Sequence, residues 1–474
     1  MLLGIDIGTT KVAAVIVDAG GGVMASASRL HGADLPAPMG RSEQDVGVIL
    51  KAVRTVVCDL PADLRAKVRA VGVTGQMHGV VVLDPQGGAL TPLITWQDGR
   101  CLEDDFLRRL NAQVGRELRT GYGCATLAWL VAHGQMPAEA AGSCTVHDLL
   151  VAALCGASKP VTDPTDAASW GLFDLQRLDW DSLAVKAAGI PGFILPKVVP
   201  CGAEAGKVHS RAAEELGIPG GVPVASAIGD NQASLLATLK DRERELALTL
   251  GTGGQVSAVV SIGGQASRQV GLPYGPVWAP HDGSPVRART SLLTYEYRPY
   301  PGGRMLVVAA SLCGGAAWAW LADTVISWQS DLGFPPMSRD EVFGRLNDLA
   351  LRTGQNSGQS IAKPQAELRV APHFLGERYD ASLRASISGI DLRNFDLGGL
   401  ARALARGIIR NLKDMLPPQV LEGRQRIVGS GNALRRNAVL RQMVVEVFCL
   451  PLEMAEGLEE AATGAALNAA GLLE

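Results

Sequence analysis

The apolar residues of the chain fall into short runs that end at glycine or polar turns, and stretches with helical spacing lie between them. Runs of strand length occur at residues 3–7, 12–17, 68–74, 222–228 and 246–250. Between residues 400 and 412, leucine or isoleucine recurs at every fourth position, which predicts an amphipathic helix. Strands that alternate with helices favour a mixed or parallel sheet covered by helices, and so an α/β fold.

Two of these runs begin hairpins that look alike. Gly8-Thr9-Thr10 leads into the strand pattern of residues 12–18, and Gly251-Thr252-Gly253-Gly254 leads into that of residues 255–260. Chance similarity is one explanation, and a pair of related lobes is the other, since the turns lie half a chain apart. The second explanation predicts an N-terminal lobe of residues 1–222 and a C-terminal lobe of residues 223–474.

That division falls in a stretch rich in glycine and proline, residues 217–225. Two further segments, residues 271–301 and 354–365, are predicted to be loops or small insertions. The length of 474 residues also favours two or more domains over one core.

Composition narrows the class of protein. The chain is 47% hydrophobic and 19% charged, so it can bury large cores. A net charge of −3 without a basic block argues against nucleic acid and against a polybasic membrane anchor. The 8 cysteines include no Cys-x-x-Cys pair, which is typical of reduced thiols. With no visible secretory signal or membrane-spanning run, a soluble cytoplasmic protein is expected.

The two Gly-Thr turns are candidate phosphate sites. Glycine permits close approach of the backbone, and threonine hydroxyls add hydrogen-bond donors. Asp6, on the strand before the first turn, is a candidate for holding Mg²⁺ through water. Ordinary hairpin turns and a capping aspartate are the alternatives. The chain has no Gly-x-x-x-x-Gly-Lys-Ser/Thr string, so a P-loop is not expected.

Asp230 follows an apolar strand and precedes a helical pattern, which would place it at the edge of a cleft. There it is a candidate general base for a hydroxyl. The alternative is a helix N-cap, a position that favours aspartate. Gly429-Ser430-Gly431-Asn432 lies between another strand and helix, where it fits either an adenosine against bare backbone or only a tight turn.

Polar side chains on two other turns suit a sugar. Gln76, Met77 and His78 lie on one turn, and Trp96 and Asp98 lie on the other. Planar polar groups beside an aromatic wall are typical of small-ligand sites. A structural histidine and an ordinary Asp-Gly turn are the alternatives.

In this order, the motifs resemble the FGGY carbohydrate kinases, which include xylulokinase and glycerol kinase. The likeness rests on Gly4-Ile5-Asp6-Ile7-Gly8-Thr9-Thr10, Gly75-Gln76-Met77-His78-Gly79, Gly229-Asp230, Leu250-Gly251-Thr252 and Gly429-Ser430-Gly431-Asn432. The branch that phosphorylates sedoheptulose is the most similar, through strings such as Gly123-Cys124-Ala125-Thr126, His147-Asp148 and Leu375-Gly376-Glu377-Arg378. These strings run through nearly the whole chain.

The resemblance implies a two-lobed, actin-like (ribonuclease-H-like) ATPase fold with the active site in the cleft between the lobes. It implies ATP and Mg²⁺, with Asp230 as general base and Asp6 near the metal. It assigns the phosphates to Thr9, Thr10, Gly251 and Thr252, and the nucleoside to Gly315, Gly429, Gly431 and Asn432. It places the sugar against Gln76, Met77, His78, Trp96, Asp98 and Asp230. A homodimer is common among such kinases.

One departure from the family concerns charge near the first turn. Many relatives carry Lys or Arg where this chain has Ala13, and Lys11 is the nearest cation. The role of Lys11 is therefore left open.

The expected activity is ATP-dependent phosphorylation of an open-chain sugar, a ketoheptose or ketopentose, with sedoheptulose 7-phosphate as the expected product. Xylulose, ribulose and glycerol are the alternative acceptors within the family. An actin- or Hsp70-like ATP switch that binds protein is an alternative of another class, because it shares the phosphate turns. A catalytically inactive sugar-binding regulator is a third, disfavoured by the presence of Asp6, Asp230 and both turns.

Overall fold

The structure is a computed structural model that describes residues 1–18, 20–261, 294–356 and 367–473. Its strands are β1 Leu2–Ile7, β2 Lys11–Val17, β3 Val23–Leu30, β4 Glu43–Gln44, β5 Ala70–Gly75, β6 Val81–Leu83, β7 Leu93–Ile94, β8 Gly142–Cys144, β9 Val161–Thr162, β10 Phe173–Asp174, β11 Asp179–Trp180, β12 Lys197–Val198, β13 Glu204–Lys207, β14 Pro223–Ala225, β15 Ile228–Gly229, β16 Glu245–Leu250, β17 Gly254–Ser261, β18 Glu296–Tyr300, β19 Arg304–Ser311, β20 Arg369–Ala371, β21 Ser386–Ser388, β22 Arg426–Ser430 and β23 Leu452–Met454.

The α-helices are α1 Val46–Cys58, α2 Ala62–Arg65, α3 Phe106–Val114, α4 Gly123–Ala132, α5 Val146–Cys155, α6 Pro164–Ser169, α7 Ser182–Ala187, α8 Ser210–Leu216, α9 Asp230–Thr238, α10 Gly315–Asp331, α11 Arg339–Asn356, α12 Leu397–Met415, α13 Pro418–Leu421, α14 Asn432–Arg436, α15 Ala438–Phe448 and α16 Glu460–Asn468. Short 3-10 helices cover Arg100–Asp105, Gly192–Ile194 and Ala470–Leu473. Among the described residues, no helix is long and apolar enough to cross a membrane.

Two large sheets share a five-strand core, β14-β5-β1-β2-β3 in the first and β23-β22-β16-β17-β19 in the second. The first has the order β13-β14-β5-β1-β2-β3, and the second has the order β18-β19-β17-β16-β22-β23. In the first sheet, β1 pairs antiparallel with β2 on one side and parallel with β5 on the other. In the second sheet, β16 pairs in the same way with β17 and β22. The repeated Gly-Thr hairpins are thus the opening hairpins of two related lobes. This is the two-lobed, actin-like α/β fold that the sequence predicted.

The predicted lobe boundary at residues 222/223 does not match the sheets. β14 and β15 both pair in parallel with β5 and so belong to the first sheet, which continues to Gly229. The last helix, α16, also packs on β1, β2 and β5 after the chain has left the second sheet. The correction has a physical reason: the hydrogen-bond partner of β14 lies about 150 residues earlier, beyond any local composition signal.

The helical segment that follows Gly429-Ser430-Gly431 is two helices, α14 and α15. Asn437 separates α14 from α15, with a non-helical φ of −125° and a side chain that accepts a hydrogen bond from Leu440 N. It is therefore the N-cap of α15. The amphipathic helix around residues 400–412 is confirmed as α12. Of the two predicted loops, residues 296–300 form β18, and residues 262–293 and 357–366 lie outside the described residues.

Helix α16 joins the lobes through a close contact with α9. A Cβ atom at Gly464 would lie 1.7 Å from the carbonyl oxygen of Ala233. Gly464→Ala is therefore expected to lower the free energy of unfolding by about 1–3 kcal/mol or more, since the backbones would have to separate. Urea unfolding measures the change.

Gly344→Ala is the matched control, because Gly344 also lies within a helix and a Cβ there would meet nothing within 4 Å. This change should raise stability by up to about 1 kcal/mol through helix propensity. Equal effects at the two positions would contradict the contact between α9 and α16.

Candidate active site

The first Gly-Thr turn is held from several sides. Gly8 N donates to the carbonyl of Lys11 at 2.9 Å, which closes the turn between β1 and β2. The carbonyl of Thr9 accepts from Gln44 Nε2 at 2.8 Å, and Thr9 Oγ1 accepts from Trp96 Nε1 at 3.0 Å. Thr10 is exposed. The turn is thus fixed by side chains of its own lobe while its tip stays accessible.

The second turn is fixed by the start of α10. Gly315 N donates to the carbonyl of Gly251 at 2.8 Å, and Ala316 N donates to that of Thr252 at 3.0 Å. A Cβ at Gly315 would lie 2.6 Å from that same Gly251 oxygen. Gly315 therefore connects α10 to the second Gly-Thr turn, and its N–H is already bonded to the carbonyl of Gly251. Gly251, Thr252 and Gly315 also border an open cavity of about 700 Å³ beside α10.

Residues from both lobes line a smaller cavity of about 360 Å³. It brings together the predicted Asp6 and Asp230 with residues that the sequence did not single out. Its polar lining includes Asp6, Asp230, Asn231, Thr249, Gln255, Ser257 and Ser430. Thr249 Oγ1 lies 2.8 Å from Ser430 Oγ, which ties β16 to β22 at this edge. The available signal was the position of Thr249 and Ser430 at the carboxyl ends of adjacent parallel strands.

The carboxylate of Asp6 has a buried oxygen, Oδ1, without a hydrogen-bond partner among the described residues. Burial, together with the charges of Asp230 and Glu459, raises the pKa of Asp6 to about 7, against the lowering effect of Lys11. Such a site suits a divalent cation that keeps much of its water. The described residues contain no cluster of three or more metal-ligating side chains.

Lys11 points toward the C-terminal segment. Its Nζ lies 2.8 Å from both carboxylate oxygens of Glu459, just before α16. Lys11, the cation nearest the first turn in sequence, is therefore paired with Glu459 within the protein.

Asp230 is the first residue of α9 and not its N-cap. Gly229 occupies the cap position and provides no side-chain hydrogen bond. The capping alternative for Asp230 is therefore wrong. Burial raises the pKa of Asp230, while the N–H of Asn231 and the charges of His147 and Arg298 act in the opposite direction. The result is a carboxylate of increased basicity facing the cavity between the lobes.

His78 is held as a neutral acceptor. Its Nδ1 lies 2.7 Å from the carbonyl of Ser169, and its ring stacks on Tyr122 with centroids 4.9 Å apart. Because a carbonyl can only accept, Nδ1 carries the hydrogen. Burial is the main cause that lowers the pKa of His78 to about 4. At neutral pH, Nε2 is therefore a bare acceptor, suited to a hydroxyl group.

Gln76 and Met77 connect His78 to the other parts of the site. Gln76 Nε2 donates to Gln44 Oε1 at 2.9 Å, and Gln76 Oε1 is buried without a partner among the described residues. Met77 packs against Gly229, where an added Cβ would lie 2.7 Å from the methionine methyl group. The turn therefore contacts the backbone immediately before Asp230.

The structure does not support Asp98 as a sugar ligand. Asp98 is fully buried, and its carboxylate accepts from Arg100 Nε at 2.7 Å and from Ser42 N at 2.8 Å. The carboxylate is thus committed inside the first lobe and has no oxygen to offer a ligand. Trp96, two residues earlier, is 44% exposed and can still form an aromatic wall.

Steric constraints explain why residues 429 and 431 are glycines. A Cβ at Gly429 would lie 2.6 Å from Leu434 Cδ2. Gly431 has a φ of +91°, and a Cβ there would lie 2.3 Å from the carbonyl oxygen of Leu250. Asn432, which begins α14, is exposed. The tight-turn alternative explains both glycines, and nucleoside contact by this segment stays a prediction.

A buried acidic cluster lies behind Asp230, and the sequence analysis contained only its His147 and Asp148, within a family string. His147 Nε2 lies 2.8 Å from Asp166 Oδ2, and both side chains are fully buried. Asp148 and Asp163 are also fully buried. Burial, followed by the charge of Asp166, raises the pKa of Asp148 from 3.8 to about 8 and that of Asp163 to about 7.

This cluster makes stability depend on pH. The folded protein keeps a proton on Asp148 that the unfolded chain releases near pH 4, so the free energy of unfolding falls as pH rises from about 4 to about 8. Asp148→Asn should therefore be more stable than wild type at pH 8, by a margin that shrinks toward pH 5. Urea unfolding at several pH values measures this, with the exposed Asp63→Asn as control. A margin independent of pH would contradict the prediction.

Comparisons with known proteins agree on the family. The N-terminal domain of the FGGY family of carbohydrate kinases matches residues 1–237. The chain is 35% identical to human sedoheptulokinase over 498 aligned residues, which cover 98% of this chain and 96% of the relative, and 34% identical to the mouse protein with the same coverage. The structure of xylulose kinase from Rhodospirillum rubrum shares the fold, with a TM-score of 0.77 and 24% identity over 100% of this chain and 90% of the other. The chain belongs to the FGGY family of carbohydrate kinases.

Proposed function

We propose that this carbohydrate kinase transfers the γ-phosphoryl group of ATP to the 7-hydroxyl of sedoheptulose. The observation that supports the sugar most directly is the 35% identity to human sedoheptulokinase across 98% of the chain. The cavity that joins Asp6 to Asp230 supports the chemistry, since Gly8 of the first Gly-Thr turn and the basic carboxylate of Asp230 both line it.

In the proposed step, the 7-hydroxyl oxygen attacks the γ-phosphorus while the bond from that phosphorus to the β,γ-bridging oxygen breaks, and ADP leaves. Asp230 takes the hydroxyl proton. Its raised pKa supports this role, because a more basic carboxylate accepts the proton more readily. Approach of the two lobes would exclude water, which otherwise competes as acceptor.

The two Gly-Thr turns are proposed to bind the phosphates from opposite lobes. Thr10 and Thr252 are exposed at their tips. Asp6 is proposed to hold Mg²⁺ through water, because its buried Oδ1 has no partner among the described residues. When bound, Mg²⁺ supplies charge neutralisation for the phosphoryl oxygens. Asp6 itself would position that charge beside the Gly8 turn.

The sugar is proposed to lie against His78, Gln76 and Trp96. The bare Nε2 of His78 can accept from one hydroxyl, and the unpaired Oε1 of Gln76 can accept from another. Trp96 offers its ring as a wall. Its indole N–H already donates to Thr9 Oγ1, so this wall also touches the phosphate turn.

A cytoplasmic location is part of the proposal, supported by eight cysteines that are all free thiols. A homodimer stays a prediction.

Initial rates of ADP release with ATP and Mg²⁺ test the substrate, with sedoheptulose, xylulose, ribulose and glycerol in parallel. The highest kcat/KM is expected for sedoheptulose. A higher kcat/KM for another acceptor would refute sedoheptulose as the substrate but would still support phosphoryl transfer to a sugar or polyol. ADP release unaffected by every acceptor would favour the ATP-switch alternative.

A further inference from the structure

The peptide group between Ile228 and Gly229 is bound at both of its polar atoms by buried threonines. Thr74 Oγ1 donates to the carbonyl of Ile228 at 2.6 Å. The N–H of Gly229 donates to Thr165 Oγ1 at 2.8 Å. Thr74 is fully buried and Thr165 is 1% exposed. The threonines come from different elements, the end of β5 and the first turn of α6, and they meet at the residue before Asp230.

The hydroxyl of Thr165 has a fixed direction. Its Oγ1 donates to Asp163 Oδ1 at 2.5 Å, and the same carboxylate oxygen accepts from the N–H groups of Thr165 and Asp166. A hydroxyl has one hydrogen, and here it is used by Asp163. A lone pair of Thr165 is therefore left for the N–H of Gly229, so the orientation is set before that bond forms.

The start of α9 has no cap of its own. Gly229 is the N-cap and makes no side-chain hydrogen bond, although a capping side chain commonly fixes the first turn of a helix. Asp230 is the next residue. The peptide that precedes Asp230 is therefore held from outside the helix, by the pairing with β5, by Thr74 at its carbonyl and by Thr165 at its N–H.

We infer that Thr74 and Thr165 are positioning residues, which hold the Ile228–Gly229 peptide so that Asp230 points at the acceptor hydroxyl. This inference rests on the proposed role of Asp230 as general base. Neither threonine touches the reacting atoms. Loss of either hydrogen bond would leave the peptide held by the pairing of β15 with β5 and by one threonine. A resulting displacement of the carboxylate by about 1 Å can cost about 10²-fold in rate.

Paired substitutions separate the hydroxyl from the volume of the side chain. Thr165→Val keeps the shape and removes the acceptor, whereas Thr165→Ser keeps the hydroxyl. With sedoheptulose and ATP as probes, Thr165→Val is expected to lower kcat about 10-fold or more with little change in either KM. Thr165→Ser should recover most of the lost kcat. Thr74→Val and Thr74→Ser should behave in the same way, and they serve as the test if Thr165→Val does not fold.

A double-mutant cycle with Asp230→Asn tests whether the threonine acts through the base. If it does, Thr165→Val should add little further loss of kcat in the Asp230→Asn background. A wild-type kcat for Thr165→Val would overturn the inference. So would a loss of kcat by the same factor in the wild-type and Asp230→Asn backgrounds, and in both cases Asp230 would keep its role. A wild-type kcat for Asp230→Asn alone would overturn both the base assignment and the inference.

Discussion

Asp230→Ala is expected to lower kcat by at least about 10²-fold, the range of a lost general base. ATP binding should persist, because the phosphate turns at Gly8 and Gly251 are held by contacts that do not involve Asp230. The loss should appear in kcat more than in the KM for ATP, since the carboxylate acts on the acceptor hydroxyl during transfer.

Steady-state rates with saturating sugar and ATP measure this effect, and calorimetry of ATP binding checks the folded site. Asp59→Ala is the control, because Asp59 is exposed directly after α1 and, among the described residues, its side chain forms a long ion pair of 3.9 Å with Arg29. Turnover close to wild type in Asp230→Ala would remove Asp230 from the mechanism.

Asp98→Ala is expected to lower the free energy of unfolding by about 3–5 kcal/mol, the cost of leaving a buried charge without its partner. Arg100 is the residue left behind, with only 4% of its side chain exposed. Glu43 stays within 2.6 Å of the guanidinium, so the lower end of that range is expected. Because Asp98 is committed inside the lobe, the KM for sugar in the folded variant should stay near the wild-type value.

Urea unfolding and sugar kinetics on the same preparation separate these two effects. Asp63→Ala provides the matched control, since its pair with Lys67 lies on the surface and should contribute at most about 1 kcal/mol. A large increase in the KM for sugar without a change in stability would restore Asp98 to the sugar site.

The fold could be predicted largely from local pattern. β1 and β16, which precede the two Gly-Thr turns, are mostly apolar, and α12 shows one apolar residue per turn. The repeat of one hairpin at half the chain length also predicted two related lobes. The lobe boundary was wrong because β14 and β15 are short and find their partner in β5, which no local feature reveals.

The sequence singled out candidate site residues that lie at turns, and it missed residues whose position depends on distant contacts. Asp6, Asp230 and His78 lie at strand ends or turns, which is why sequence alone singled them out. Asp98 looks the same in sequence, yet Arg100 and Ser42 engage its carboxylate. Thr165 was missed for the opposite reason, because its partner Gly229 lies 64 residues away.

The most direct test of phosphoryl transfer to sugar is ³¹P NMR of the protein with ATP, Mg²⁺ and sedoheptulose. The account predicts that the γ-phosphate signal is replaced by a phosphomonoester coupled to the protons of C7, in step with ADP and only when sugar is present. Inorganic phosphate as the product, formed at the same rate without sugar, would contradict it.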